Sequence, residues 1–73
     1  MTRHLTAIIE REDKIYVALC PEVDIASQGS TIEEAKKNLQ EALELFFESA
    51  SNNEIETRLH NEIYITSLEV AIG

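Results

Sequence analysis

Residues 20–48, CPEVDIASQGSTIEEAKKNLQEALELFFE, run from an extended segment through a glycine turn and a capped start into a long amphipathic helix, without a break. Ser30 and Thr31 are each followed three residues later by a glutamate, Glu33 and Glu34. Either register makes a capping box, in which the hydroxyl accepts from an orphan helix N–H and the carboxylate accepts from the N–H of the cap itself. The helix is therefore expected to start at Ser30 or Thr31. Beyond it, Ile32, Ala35, Leu39, Ala42, Leu43, Phe46, Phe47 and Ala50 recur at helical spacing and form one apolar stripe. A strand, with its period of two, has no use for that pattern.

Working outward, residues 5–10 alternate, with Leu5, Ala7 and Ile9 on one side and Thr6, Ile8 and Glu10 on the other, and residues 15–20 alternate again. The charged cluster 11–14 between them contains no glycine, which predicts a hairpin closed by a loop of about four or five residues. Pro21 removes a backbone donor and ends that pairing. Residues 24–28 resume as a third strand, and Gly29 is expected to supply the freedom for the sharp turn into the helix. After Ala50, the run Ser51, Asn52, Asn53 breaks the stripe; Asn53 is expected to cap a short second helix near 53–59, with Ile55 and Leu59 one turn apart. Leu68, Val70 and Ile72 alternate with Ser67, Glu69 and Ala71, which predicts a closing strand. The expected fold class is α+β, in the order βββαβ, with the long helix on one face of an antiparallel-type sheet. The face assigned to the helix carries Ala7, Ile9, Ile15, Val17, Leu19, Leu68, Val70 and Ile72. Ile8, Tyr16, Ala18, Cys20 and Ala71 then point to a side that no second long helix covers, and an uncovered apolar patch marks an interaction surface.

The chain has 73 residues, which makes it a single domain, 1–73, with a thin core: a chain this short buries only about 60% of the surface its unfolded form exposes. A partner or self-association, a two-fold dimer first, is expected. Fourteen carboxylates against six Lys and Arg give a net charge of −8, which repels phosphate backbones and anionic lipid and attracts a basic protein. One cysteine allows no internal disulfide, and the absence of a charged-then-apolar leader or a membrane-length apolar run points to a cytoplasmic protein that binds neither nucleic acid nor membrane.

The residues offer little to an enzyme. Glu33, Glu34, Glu41, Glu44 and Glu48 lie off the stripe and form a solvated face. His4 and His60 have no ligand partners at metal spacing, and Cys20 has no adjacent base. Glu22 and Asp24 flank Val23 and are the one pair placed to share a side and hold a cation, but two carboxylates are too few oxygen ligands for magnesium. No catalytic residue, metal or cofactor is expected, and a magnesium-dependent nuclease using Glu22 and Asp24 ranks last among the readings.

Residues 16–22 (YVALCPE), 27–29 (SQG) and 31–35 (TIEEA), followed by Asn38-Leu39 and Glu41-Ala42, resemble the HicB family of antitoxins in its small single-domain form, and residues 65–71 (ITSLEVA) resemble that family's last strand. The resemblance spans nearly the whole chain. It implies a partial RNase H-like βββαβ domain that covers the active site of HicA, a small basic toxin that cleaves messenger RNA. The catalytic histidine of such a pair belongs to the toxin, so neither His4 nor His60 inherits a role, and an RNase H-like outline brings no RNase activity of its own. Two departures stand out. Many relatives carry Leu-Pro-Gly after the CPE motif where this chain has Val23-Asp24-Ile25, and longer relatives add a C-terminal DNA-binding module that this sequence is not expected to supply.

Two functions are therefore expected in order: an antitoxin that neutralises a HicA-like RNase, and, as the alternative, an orphan HicB-like module that self-assembles for a structural or regulatory purpose without a toxin. The interface assigned to either is Ile8, Tyr16, Ala18 and Cys20, with Glu22 and Asp24 as its acidic edge, because aromatic anchors ringed by polar groups dominate recognition.

Overall fold

A computed structural model describes residues 3–60 and 62–73. Three strands, β1 (Ile8–Glu12), β2 (Ile15–Cys20) and β3 (Ile25–Gly29), form an antiparallel sheet in the order β1-β2-β3, followed by a long helix α1 (Ile32–Ser49) and a short one α2 (Asn52–Arg58). The α+β class and the element order up to α2 match the sequence reading. Residues 62–73 do not: the segment expected to close the sheet carries no strand.

The hairpin differs from expectation in a way that decides the rest. Arg11 and Glu12 belong to β1, and Glu12 pairs directly with Ile15, so the loop is only Asp13 and Lys14. Asp13 takes the positive φ, 57°, that glycine commonly supplies; a short polar side chain tolerates this left-handed conformation. Arg11 braces the turn, its Nε donating to the Asp13 carbonyl at 3.0 Å while its guanidinium lies over the Tyr16 ring opposite. This register sets Ile9 against Ala18 and Ile8 against Leu19. Directly paired residues share a face, and a slip by one residue exchanges faces. Tyr16, Ala18 and Cys20 therefore join Ile9 on one side, while Ile15, Val17 and Leu19 join Ile8 on the other.

Helix α1 covers the first of these sides, the reverse of the assignment made from sequence for β2. Ala18 and Cys20 are fully buried, together with Val23, Ala35 and Leu39, and Leu5, Ile9, Tyr16, Ile25, Leu43, Phe46, Phe47 and Leu59 pack around them. Small residues on the sheet let the helix approach closely. At Gly29 a methyl group would lie 2.5 Å from the Ala35 backbone nitrogen and 2.8 Å from the Glu34 carbonyl carbon. No glycine has a positive φ, so Gly29 serves close packing and not the turn geometry expected of it.

Thr31 caps α1: its Oγ1 accepts from the Glu34 N–H at 3.0 Å, and Glu34 Oε1 accepts from the Ser30 N–H at 2.9 Å. The reciprocal pair is the expected box with its return arm moved back one residue. The far half of α1 carries Phe46 and Phe47, whose rings meet edge to face at 5.2 Å. Ser51, not Asn53, caps α2, accepting from the Glu54 N–H at 3.1 Å. That cap sets α2 one residue earlier than expected, and Ile55 and Leu59 turn inward as the spacing required.

Candidate functional site

One side of the sheet lies under α1, and among the described residues no helix covers the other. Strand alternation and the pairing place three rows there: Ile8–Leu19–Ala26, Glu10–Val17–Gln28 and Glu12–Ile15. Ile15, Val17 and Leu19 are half-buried by their neighbours, Ile8 is 41% exposed, and Glu10, Glu12, Ala26 and Gln28 are exposed. The outcome is an apolar centre of β-branched and leucine side chains with two carboxylates along its β1 side. It is the face of the one sheet that α1 does not layer.

Of the residues assigned to an interface from sequence, Ile8 lies on this surface. Ala18 and Cys20 are beneath α1 with no exposed area, and Tyr16 is half-buried on that same side. They are corrected to core and core-edge positions, because the two-residue loop fixes the register one step from the one assumed. Ile15, Val17 and Leu19 take their place. The signal that could have revealed this lies in the residues themselves. Ala18, Cys20 and Gly29 are small enough to lie under a helix, whereas Ile15, Val17 and Leu19 would hold it off.

Glu22 and Asp24 do not share a side. Both sit in the turn 21–24 that joins β2 to β3. Asp24 is exposed at φ 56°, another left-handed aspartate. Glu22 is tied inward: its carboxylate accepts from the Thr6 N–H at 3.0 and 3.1 Å, from the Thr6 hydroxyl at 2.6 Å and from the Cys20 thiol at 3.3 Å. Burial opposes ionisation of Glu22, but the Thr6 hydroxyl and amide outweigh it and hold the carboxyl below its ordinary value. Burial, helped by the neighbouring carboxylate, pushes the Cys20 thiol up.

The same corner gathers α2. Arg58 Nη2 donates to the carbonyls of Val23 and Asp24 at 2.9 and 3.1 Å, its guanidinium rests over the Phe46 ring, and the His60 N–H donates to the Glu22 carbonyl at 2.6 Å. The CPE segment is therefore a junction between the chain's start, β2 and α2. Among the described residues no group of three or more His, Cys, Asp or Glu side chains stands together as a metal site would require, and no helix is long and apolar enough to cross a membrane.

These features define a class: a small acidic α+β domain whose antiparallel sheet is covered on one face and open on the other. The chain belongs to the UPF0150 family. It is 40% identical over 68 residues to a UPF0150 protein of Thermotoga maritima, across 89% of this chain and 87% of that one. It is 31% identical over 70 residues to a UPF0150 protein of Helicobacter pylori, across 94% and 97%. It is also 52% identical over 50 residues to one of Synechocystis sp., across 66% and 69%. No family model matches the chain, and no solved structure matches it. The relatives' names state neither a reaction nor a partner.

Proposed function

We propose that this chain is an antitoxin-like protein that binds a small basic RNase toxin of the HicA kind through the open sheet face and so covers the toxin's active site. The observation that carries the reading is the pairing, on one surface, of the apolar Ile8, Val17 and Leu19 with the acidic Glu10 and Glu12. A toxin that grips RNA must ring its active site with cations. A domain of net charge −8 steers toward such a ring, and the acidic margin competes for it while the apolar centre supplies contact area. The HicB-like stretches of sequence support the same reading, although the part of the motif at Cys20 and Glu22 serves the fold. No reaction is assigned to this chain; it supplies a surface, and cleavage chemistry stays with the toxin.

Co-expression with the product of the adjacent open reading frame tests this. The expected result is rescue of growth and co-purification of a basic protein. The pair Val17→Asp and Leu19→Asp, introduced together in a chain whose helical circular dichroism is retained, is expected to lose both. Rescue undiminished by that pair, or recovery of no basic partner, overturns the proposal.

A further inference from the structure

Residues 62–73 hold the most exposed large apolar side chains of the described chain: Tyr64 and Leu68 at 84%, Val70 at 69% and Ile72 at 93%. They fall on alternate positions with Thr66 between Tyr64 and Leu68, so an extended backbone points all of them one way. The segment reaches away from the folded body. The radius of gyration is 14.3 Å and the long axis 48 Å, whereas a compact chain of this length has a radius near about 11 Å. Aliphatic side chains patterned as a half-buried strand, yet solvated along their length, lack the layer they are patterned for.

The body offers a matching acceptor. β1 and β3 are the two edges of the sheet. β3 lies under α1, and Asn38 Nδ2 donates to the Gln28 carbonyl at 2.8 Å, whereas α1 barely reaches β1. Next to the chain leading into β1 runs a groove of about 1000 Å³, whose apolar lining is Leu5, Ala7, Leu43, Phe47, Ile55 and Leu59 and whose rim carries charged side chains such as Lys36 and Glu44. Among the described residues none beyond Leu59 lines it, so the chain's own segment 62–73 leaves it open. A strand added to the β1 edge places every second side chain on the α1 side of the sheet, where this groove is.

We infer that residues 62–73 of one copy form a strand on the β1 edge of a second copy, seating Leu68, Val70 and Ile72 in the groove, and that the exchange is reciprocal. At ~60–120 Å² for each aliphatic side chain on the transfer scale, matched by the groove and doubled by two-fold symmetry, the contact is on the order of 1,000 Å², the area a specific interface needs. The exchanged strands occupy the edge and the α1 side, so the open face stays free for a different partner. This inference stands independently of the toxin-binding reading.

The full chain, weighed by light scattering after gel filtration at micromolar concentration, is expected to show twice the 8.3 kDa chain mass. Leu68→Asp with Val70→Asp is expected to give a monomer that keeps its helical circular dichroism and exchanges its β1 amides about tenfold faster. Val17→Asp, on the open face, is expected to remain a dimer. A monomeric parent chain, a dimer that survives the arm substitutions, or a dimer abolished by Val17→Asp overturns the inference. Should the two aspartates unfold the chain, Leu68→Ser with Val70→Ser asks the same question with the same outcomes.

Discussion

Three residues set the terms at the scale of single positions. Gly29→Ala drives a methyl into the backbone of α1, and is expected to cost about 1–3 kcal/mol, read as a lower urea midpoint with unchanged slope. Cys20, buried with its thiol pushed up, is expected to resist a thiol reagent in the native protein and to react once urea unfolds it; rapid native labelling would return it to the surface. Glu22 gives a pH signature. Its carboxyl is held below the ordinary 4.5, so its contribution is complete above that value and is lost as pH falls through the lower, folded value. Glu22→Gln is expected to cost about 1.5 kcal/mol at neutral pH and to flatten the fall in urea midpoint as pH drops below about 4.5. The Cys-Pro-Glu motif was visible in the sequence, but its use was not. Thr6 lies sixteen residues from Glu22 and Arg58 thirty-five from Val23, and spacing along a chain does not announce contacts that only the folded corner creates.

Among the elements, α1 and β2 were legible because each rests on a local period. The stripe and the double capping signal located the helix, and Thr31→Ala is expected to cost about 1 kcal/mol in thermal or urea unfolding. The hairpin was legible as a hairpin, but its loop length and register were not. Arg11 and Glu12 read as loop because they are charged, whereas an edge strand accepts charge and the cross-strand Arg11–Tyr16 contact rewards it. That misplacement exchanged the faces of β2 and with them most of the candidate site. A pair of substitutions tests the corrected faces: Ala18→Leu overpacks the layer under α1 and is expected to cost about 1–3 kcal/mol, while Val17→Leu is expected to stay within about 0.5 kcal/mol. Equal costs would mean that the helix does not distinguish the two sides.

For the whole molecule, a thin core, an excess of fourteen carboxylates over six cations and a projecting apolar arm all point outward. The alternation of residues 64–72 predicts a closing strand, yet the single chain forms none there; alternation says that a segment suits a sheet edge and not that the chain's own sheet supplies one. The proposed toxin complex carries a further expectation: association with the basic protein should slow steeply as salt rises from about 50 to about 500 mM, with the dissociation rate nearly constant, measured by stopped flow. The tight seat of α1 on β3 carries a consequence for how relatives of this chain can diverge. The atoms that a side chain at position 29 would meet first belong to the main chain at 34 and 35, so shrinking Ala35 to glycine gives no relief. A genetic selection starting from Gly29→Ala should therefore yield no suppressor at position 35, only reversion or changes that lift the helix as a whole.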